Sequence, residues 1–118
     1  MRKLFILSLL LAFFSCKKNE DNNAATIALS ETHWNLHYKY NNTFNFFAVS
    51  NLYFKQNNTI DNYRNFDTIS GAWSAIKDSV TLNFSNGEKY TGTAITDDSI
   101  SGTLTAIGNT GVWYAVRN

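Results

Sequence analysis

The two histidines, His33 and His37, are spaced so that both could bind one metal ion if they lay on a helix. The residues around them alternate between apolar and polar types, which predicts a strand instead. On a strand the two side chains lie about 13 Å apart, too far to share a metal, and both face solvent opposite Trp34. Glu31 is the carboxylate best placed to join His33. The sequence therefore predicts no metal site and no cofactor.

Other residues that could do chemistry are equally poorly arranged. Asp97 and Asp98 are adjacent in a predicted turn and point to opposite sides, which does not suit paired acid and base catalysis. The chain has no Ser/His/Asp set that spacing can assign and no glycine-rich phosphate loop. We therefore expect a protein that is not an enzyme.

Cys16 is the only cysteine, so it cannot form an intramolecular disulfide. It follows a basic start, Arg2 and Lys3, and an apolar run over residues 4–14 that only Ser8 interrupts. That run of 11 residues is shorter than the roughly 20 that a transmembrane helix needs. Its length and flanks are typical of the hydrophobic region of a secretory signal peptide.

The residues at the end of this run, Phe13-Phe14-Ser15-Cys16, resemble a bacterial lipoprotein signal. The resemblance implies cleavage before Cys16 and attachment of acyl chains to it, although Phe13 stands where Leu is more usual. Lys17 and Lys18 followed by acidic residues resemble the surface-export signal of Bacteroidetes lipoproteins; a solvated linker is the alternative. We expect a lipoprotein signal peptide at 1–15, a lipid-anchored flexible tether at 16–29 and a folded domain at 30–118. The protein would be anchored by lipid to the outer membrane, on the periplasmic side or at the cell surface.

Charge excludes one class of partner. Charged residues make up 16% of the chain and its formal net charge is +1, with no basic block beyond the N-terminus. Loss of Arg2 and Lys3 with the signal peptide would leave a slight negative charge. No nucleic-acid partner is predicted, because nucleic-acid binding needs a basic surface. We expect a monomer.

After about residue 25 the sequence alternates with a period of two. Turn residues such as Asn86-Gly87, a strong hairpin signal, separate the strands. The pattern is all-β and predicts a small antiparallel up-and-down barrel of about eight short strands. We predict strands at residues 33–40, 46–55, 59–64, 69–76, 80–84, 88–96, 99–107 and 111–117. We also expect a bulge at Ser50-Asn51, and a short helix or a coil over residues 24–31 that plugs one end of the barrel.

Four segments centred on glycine, at residues 69–73, 90–95, 100–104 and 111–117, resemble the lipocalin-like domains of small Bacteroidetes lipoproteins. The resemblance covers residues 30–118 and implies a barrel in which Trp34 of the first strand packs under Arg117 of the last. We expect a cation–π contact between them that closes the barrel. Thr32 departs from the family pattern, which has Gly there.

Aromatic residues, 15% of the chain, dominate the predicted interior. An inward-facing glycine would let a large ring from a neighbouring strand cross the narrow barrel. A barrel of this size holds one small ligand or only its own side chains. Our first hypothesis is that it binds a small apolar or amphipathic molecule. The alternative is a non-enzymatic surface module that binds a protein or a glycan through exposed aromatic residues, with a filled barrel. The candidate ligand-pocket residues are Tyr38, Phe54, Trp73, Phe84, Tyr90 and Trp113.

Overall fold

The computed structural model describes residues 27–41 and 48–118. The predicted signal peptide, Cys16 and the tether up to residue 26 lie outside the described residues. The start of the predicted second strand, including Phe46, also lies outside them.

The eight described strands form one closed barrel in which each pairs with its neighbours in sequence and β1 pairs with β8, all antiparallel. This confirms the predicted all-β, up-and-down barrel. Closure leaves no strand edge free to pair with another molecule. The strands are β1 (Thr32–Tyr40), β2 (Ala48–Phe54), β3 (Thr59–Tyr63), β4 (Thr68–Ile76), β5 (Ser79–Phe84), β6 (Lys89–Thr96), β7 (Ser99–Ala106) and β8 (Asn109–Arg117).

The hairpin between β5 and β6 shows how turn chemistry sets the register. Gly87 has a φ of 92°, which glycine adopts without strain, and its N–H donates to the carbonyl of Phe84 at 3.1 Å. The Asn86 side chain accepts a hydrogen bond from the Glu88 N–H at 3.1 Å. The Asn-Gly pair therefore lies in the predicted hairpin, although only Gly87, and not Asn86, has the positive φ that the pair was expected to adopt.

One local prediction was wrong, and a second is resolved between its two alternatives. The β1–β2 register runs without interruption through Ser50 and Asn51, so no bulge lies there, because Ser50 keeps its inward place in the alternation. Residues 24–31 were expected to form a short helix or a coil, and the described part, Ile27–Glu31, is the coil, with a φ of 64° at Glu31. Positive φ is incompatible with a right-handed helix.

The packed domain starts earlier than residue 30. Ile27 and Leu29, assigned to the tether from sequence, are buried in the core with the barrel side chains. Their apolar surface is removed from water only if this coil covers the barrel end, which is the plug that the sequence suggested.

Two series of aromatic rings fill the interior. One runs through Trp34, Phe54 and Trp73, with ring centroids 6.2 Å and 5.6 Å apart. The other runs through Phe84, Tyr90 and Trp113, with centroids 5.4 Å and 5.6 Å apart. All four contacts are edge-on, the arrangement that aromatic quadrupoles favour.

Glycine makes room for one of these rings. A Cβ atom added to Gly92 would lie 2.6 Å from Cζ2 of Trp113, closer than van der Waals contact allows. The indole N–H of Trp113 donates to the carbonyls of Thr91 and Thr103, at 3.2 Å and 3.0 Å. The expected use of an inward glycine to let a large ring cross the barrel is therefore present at Gly92.

The barrel has two ends, which we name after the first and last residues of β1. At the Thr32 end, the Arg117 guanidinium lies 5.0 Å from the centre of the Trp34 ring and donates to the carbonyl of Ala28 at 2.9 Å. The N-terminal coil and this contact cover the Thr32 end. The Tyr40 end, where β1 finishes and β2 begins, is built differently and carries the candidate site.

Candidate functional site

The structure does not gather the six predicted pocket side chains around one space. Phe54, Phe84, Tyr90 and Trp113 are buried and contact other rings, so they form core rather than an open wall. Only the two others are partly exposed, and they lie at opposite ends. Trp73 donates its N–H to the Lys55 carbonyl at 3.1 Å near the Thr32 end, whereas Tyr38 lies near the Tyr40 end.

A set of polar side chains faces inward at the Tyr40 end, where strand alternation predicts apolar residues. Ser50 follows the same inward phase as Leu52 in β2, and Asn62 follows that of Ile60 in β3. Arg64 lies just after β3 and Glu88 just before β6, at positions where the alternation of each strand continues inward. Three tyrosines complete what we call the polar cluster: Ser50, Asn62, Arg64, Glu88, Tyr38, Tyr40 and Tyr90.

Glu88 is the centre of the cluster's hydrogen bonds. Its side chain is only 6% exposed and forms an ion pair with Arg64. It also accepts hydrogen bonds from the Asn86 side-chain amide at 2.5 Å and from the Tyr90 hydroxyl at 2.9 Å. Burial alone would raise the pKa of Glu88, but the hydrogen bonds from Arg64, Asn86 and Tyr90 outweigh it and lower that pKa.

The neighbouring groups respond to the same carboxylate. Burial, and next the charge of Glu88, raise the pKa of Tyr40 to about 12. The same two causes raise the pKa of Tyr90 more strongly. Burial is the largest single influence on Arg64 and would lower its pKa, but the hydrogen bond to Glu88 and the charge of that carboxylate together outweigh burial and raise the arginine's pKa. Near neutral pH the phenols of Tyr40 and Tyr90 are therefore neutral, and they lie beside one compensated ion pair.

Arg64 also contacts an aromatic face. Its guanidinium carbon lies 5.7 Å from the centre of the Tyr38 ring, and the Tyr38 and Tyr40 rings meet edge-on with centroids 6.3 Å apart. The ion pair and the ring hold this long side chain in one place, which a binding group needs.

Several atoms of the cluster have no protein partner. Both side-chain polar atoms of Asn62, the hydroxyl of Ser50 and Nε of Arg64 are buried without a hydrogen bond in the described part of the chain. Asn62 is 0% exposed and Ser50 is 4% exposed. Each such group carries a desolvation cost of about 1–3 kcal/mol. Folded proteins rarely leave buried polar groups unpaired, so the arrangement calls for a partner.

The chemistry of these atoms defines what would complete them. Arg64 Nε, Asn62 Nδ2 and the Ser50 hydroxyl are donors, whereas Asn62 Oδ1 is an acceptor and the hydroxyl can also accept. Because donors prevail, the fitting partner presents acceptor oxygens. The arrangement can hold a polar group in place; its phenols and compensated ion pair suit hydrogen bonding rather than proton transfer.

Sequence reasoning did not single out Ser50, Asn62, Arg64 or Glu88. They could have been found as polar residues at positions where the alternation along a strand predicts an inward-facing apolar side chain. At Ser50 that signal was interpreted as a bulge.

The outer face of β1 carries both histidines, as expected. His33 stacks on Tyr53 with ring centroids 4.2 Å apart, and His37 stacks on Tyr114 at 4.5 Å. Glu31 does not pair with His33: its carboxylate accepts a hydrogen bond from the Tyr53 hydroxyl at 2.5 Å. No group of three or more His, Cys, Asp or Glu side chains that could hold a metal occurs among residues 27–41 and 48–118.

A second surface lies on the outer side of β8. Val112, Tyr114 and Val116 alternate with the inward residues of that strand and are each about 40% exposed. Val49 of β2 is also exposed and, with Tyr114, lies opposite His37 of β1, which adjoins both strands. This face is more apolar than the outside of an isolated barrel requires.

No helix within the described residues is long and apolar enough to cross a membrane. Comparison with protein-family models, with curated proteins and with solved structures finds no match to the chain.

Proposed function

We propose that this protein is a lipid-anchored envelope lipoprotein whose lipocalin-like barrel binds a small amphipathic molecule at the Tyr40 end. The observation that carries the binding proposal is Asn62, a fully buried amide whose polar atoms both lack a protein partner, beside the unpaired Ser50 hydroxyl and Arg64 Nε. A ligand with acceptor oxygens would satisfy the donors, and its apolar part would contact the tyrosine rings.

The anchor rests on sequence. Acylation of Cys16 is supported by the apolar run at residues 4–14, by the Ser15-Cys16 junction and by the polar residues that follow. The acyl chains would attach the protein to the outer membrane, facing the periplasm or the cell surface. Several acyl chains would give stable attachment, since each buried CH₂ contributes about 0.8 kcal/mol. In this proposal the protein is a monomer that binds its ligand without transforming it.

Native mass spectrometry of the full chain, purified from host membranes, tests both parts. We expect a mass increase equal to acyl chains, lost in Cys16→Ser, and a second non-covalent mass that is released on unfolding. An unmodified Cys16 contradicts the anchor. A wild-type protein that carries no small molecule, and acquires none from an extract of host lipids, contradicts ligand binding.

A matched pair of variants tests where the ligand binds. Asn62→Val removes the unpaired amide, whereas Asn51→Val makes the same change at an exposed position of the adjoining strand β2. We expect the ligand mass to be lost from the first variant and retained by the second. Retention by both would place the ligand outside the polar cluster.

The outer face of β8 favours a second candidate, a surface module that binds another protein. Exposed Val112, Tyr114 and Val116 would supply its apolar contacts. Tyr114→Ser and Val116→Ser, on a barrel that still binds its ligand, would abolish capture of a protein partner if this surface is used. Unchanged capture would exclude it.

A further inference from the structure

Two apolar side chains protrude from the rim of the barrel at the Tyr40 end. Phe66 is 99% exposed and Ile107 is 90% exposed, the largest exposures among the large hydrophobic residues that the structure describes. Phe66 lies in the turn between β3 and β4, which the hydrogen bond from the Arg64 N–H to the Asp67 carbonyl closes at 2.9 Å. Ile107 lies in the turn between β7 and β8, next to Gly108 with its φ of 76°.

The positions of these turns around the barrel limit what they can contact together. The strands follow one another in sequence order, so the β3–β4 turn and the β7–β8 turn are half a circumference apart. A broad, flat partner contacts both at once.

Charge also differs between the two ends. At the Tyr40 end Arg64 and Glu88 neutralise each other, and Lys39 and Lys89 then outweigh Asp67. At the Thr32 end, apart from the Lys55–Asp61 and Arg117–Asp98 ion pairs, acidic residues outweigh basic ones. The Tyr40 end therefore combines apolar tips with a weak positive charge. That combination is complementary to a lipid bilayer, whose interior is apolar and whose surface carries anionic head groups.

We propose that the Tyr40 end docks on a lipid bilayer, with Phe66 and Ile107 inserted among the acyl chains on opposite sides of that end. Burial of one such side chain changes a partition constant by about 10- to 100-fold. Docking would place the polar cluster close to the lipid head groups. The barrel could then receive an amphipathic molecule directly from the bilayer.

The tether permits this orientation. The chain enters the barrel at Ile27, at the Thr32 end, and residues 17–26 reach at most about 35 Å if fully extended. Nine-residue strands rise about 30 Å, and less along the axis of a barrel because they are tilted. An anchor at Cys16 is therefore compatible with either end of the barrel facing the membrane.

Tryptophan introduced at the rim tests the proposal. The full chain is reconstituted into vesicles of phosphatidylethanolamine with a minor fraction of phosphatidylglycerol, with and without brominated acyl chains. Phe66→Trp and Ile107→Trp are compared with the parent protein and with Ile95→Trp, a control at an exposed position near the Thr32 end. The parent signal, from tryptophans inside the barrel, is subtracted.

We expect the emission of both rim tryptophans to shift to shorter wavelength and to be quenched by the brominated chains, while Ile95→Trp shows neither change. High salt should weaken the shift without abolishing it, because the apolar contacts are not screened. Equal quenching at all three positions, or none at the rim, would overturn the proposal. A shift that depends on protein concentration and not on lipid would assign the rim to contact with a second copy, which also overturns it. Adding Asn62→Val should leave rim quenching unchanged, so failure of ligand binding and failure of docking are distinguishable.

Discussion

Replacing Asn62 with valine should make the barrel more stable, although it alters a fully buried residue. Asn62 lies between Leu52 of β2 and Ile69 of β4, and neither polar atom of its side chain has a partner in the described structure. Valine has a similar volume, suits a strand and needs no hydrogen bond. Most buried substitutions destabilise a protein, so the sign of the effect is diagnostic.

The magnitude follows from the cost of the unpaired amide. Each unsatisfied buried group costs about 1–3 kcal/mol, and a change that removes donor and acceptor together avoids that cost. Asn51→Val, on the exposed face of β2, measures the gain in strand propensity alone, which is at most about 1 kcal/mol. After this control is subtracted, we expect the free energy of unfolding to rise by about 1–3 kcal/mol.

Urea unfolding followed by tryptophan emission measures the difference, and an unchanged slope shows that the unfolded state is the same. Each kcal/mol should also raise Tm by about 4–8 °C in a domain of this size. Destabilisation relative to Asn51→Val would mean that the amide is already satisfied, for instance by a buried water, and would remove the main support for a ligand site. If Asn62→Val gains stability and loses ligand binding, the result is the one expected when a functional residue is replaced.

Three further changes address the rest of the barrel. Glu88→Gln should lower stability by about 3–5 kcal/mol by leaving its arginine partner uncompensated. Because the folded-state pKa of Glu88 is lowered from 4.5, this difference should be full above that pH and shrink as the pH falls, in acid titrations of unfolding. Arg117→Gln removes the cation–π contact with Trp34, the hydrogen bond to the Ala28 carbonyl and the ion pair with Asp98, and should lower stability by about 0.5–2 kcal/mol; an unchanged urea midpoint would show that these contacts together contribute nothing. Gly92→Ala should cost about 1–3 kcal/mol and shift Trp113 emission, whereas Gly108→Ala, with open space around it, should cost only about 1 kcal/mol for its positive φ and leave that emission unchanged.

The sequence predicted the barrel because the features that specify it are local. Alternation over six to nine residues assigns each strand, and turn residues such as Asn86-Gly87 fix which strands are neighbours. The contact between Trp34 and Arg117 was expected only through a family resemblance. Its geometry is nonetheless what the pairing of β1 with β8 requires, since the two residues are register partners.

The polar cluster was not predicted because it exists only once the barrel has closed. Arg64 follows β3 and Glu88 precedes β6, so these residues meet across the interior and not between adjacent strands. Neither alternation nor turn chemistry carries information about such a contact. Four of the six aromatic residues proposed as pocket lining, Phe54, Phe84, Tyr90 and Trp113, are buried in edge-on contacts with other rings, whereas Tyr38 and Trp73 are partly exposed.

The pairing of β1 with β8 has a consequence for how the chain folds. β1 is the first strand to be made and one of its two partners is the last, so the hydrogen bonds on that side of β1 stay unformed until β8 is complete. Bringing such distant segments together costs loop-closure entropy before any contact repays it, which makes closure a late and slow step. Until then, the facing edges of β1 and β8 stay unpaired and the contact between Trp34 and Arg117 has not formed. Variants that weaken the contact of β1 with β8 should therefore aggregate during folding more than their equilibrium stability suggests.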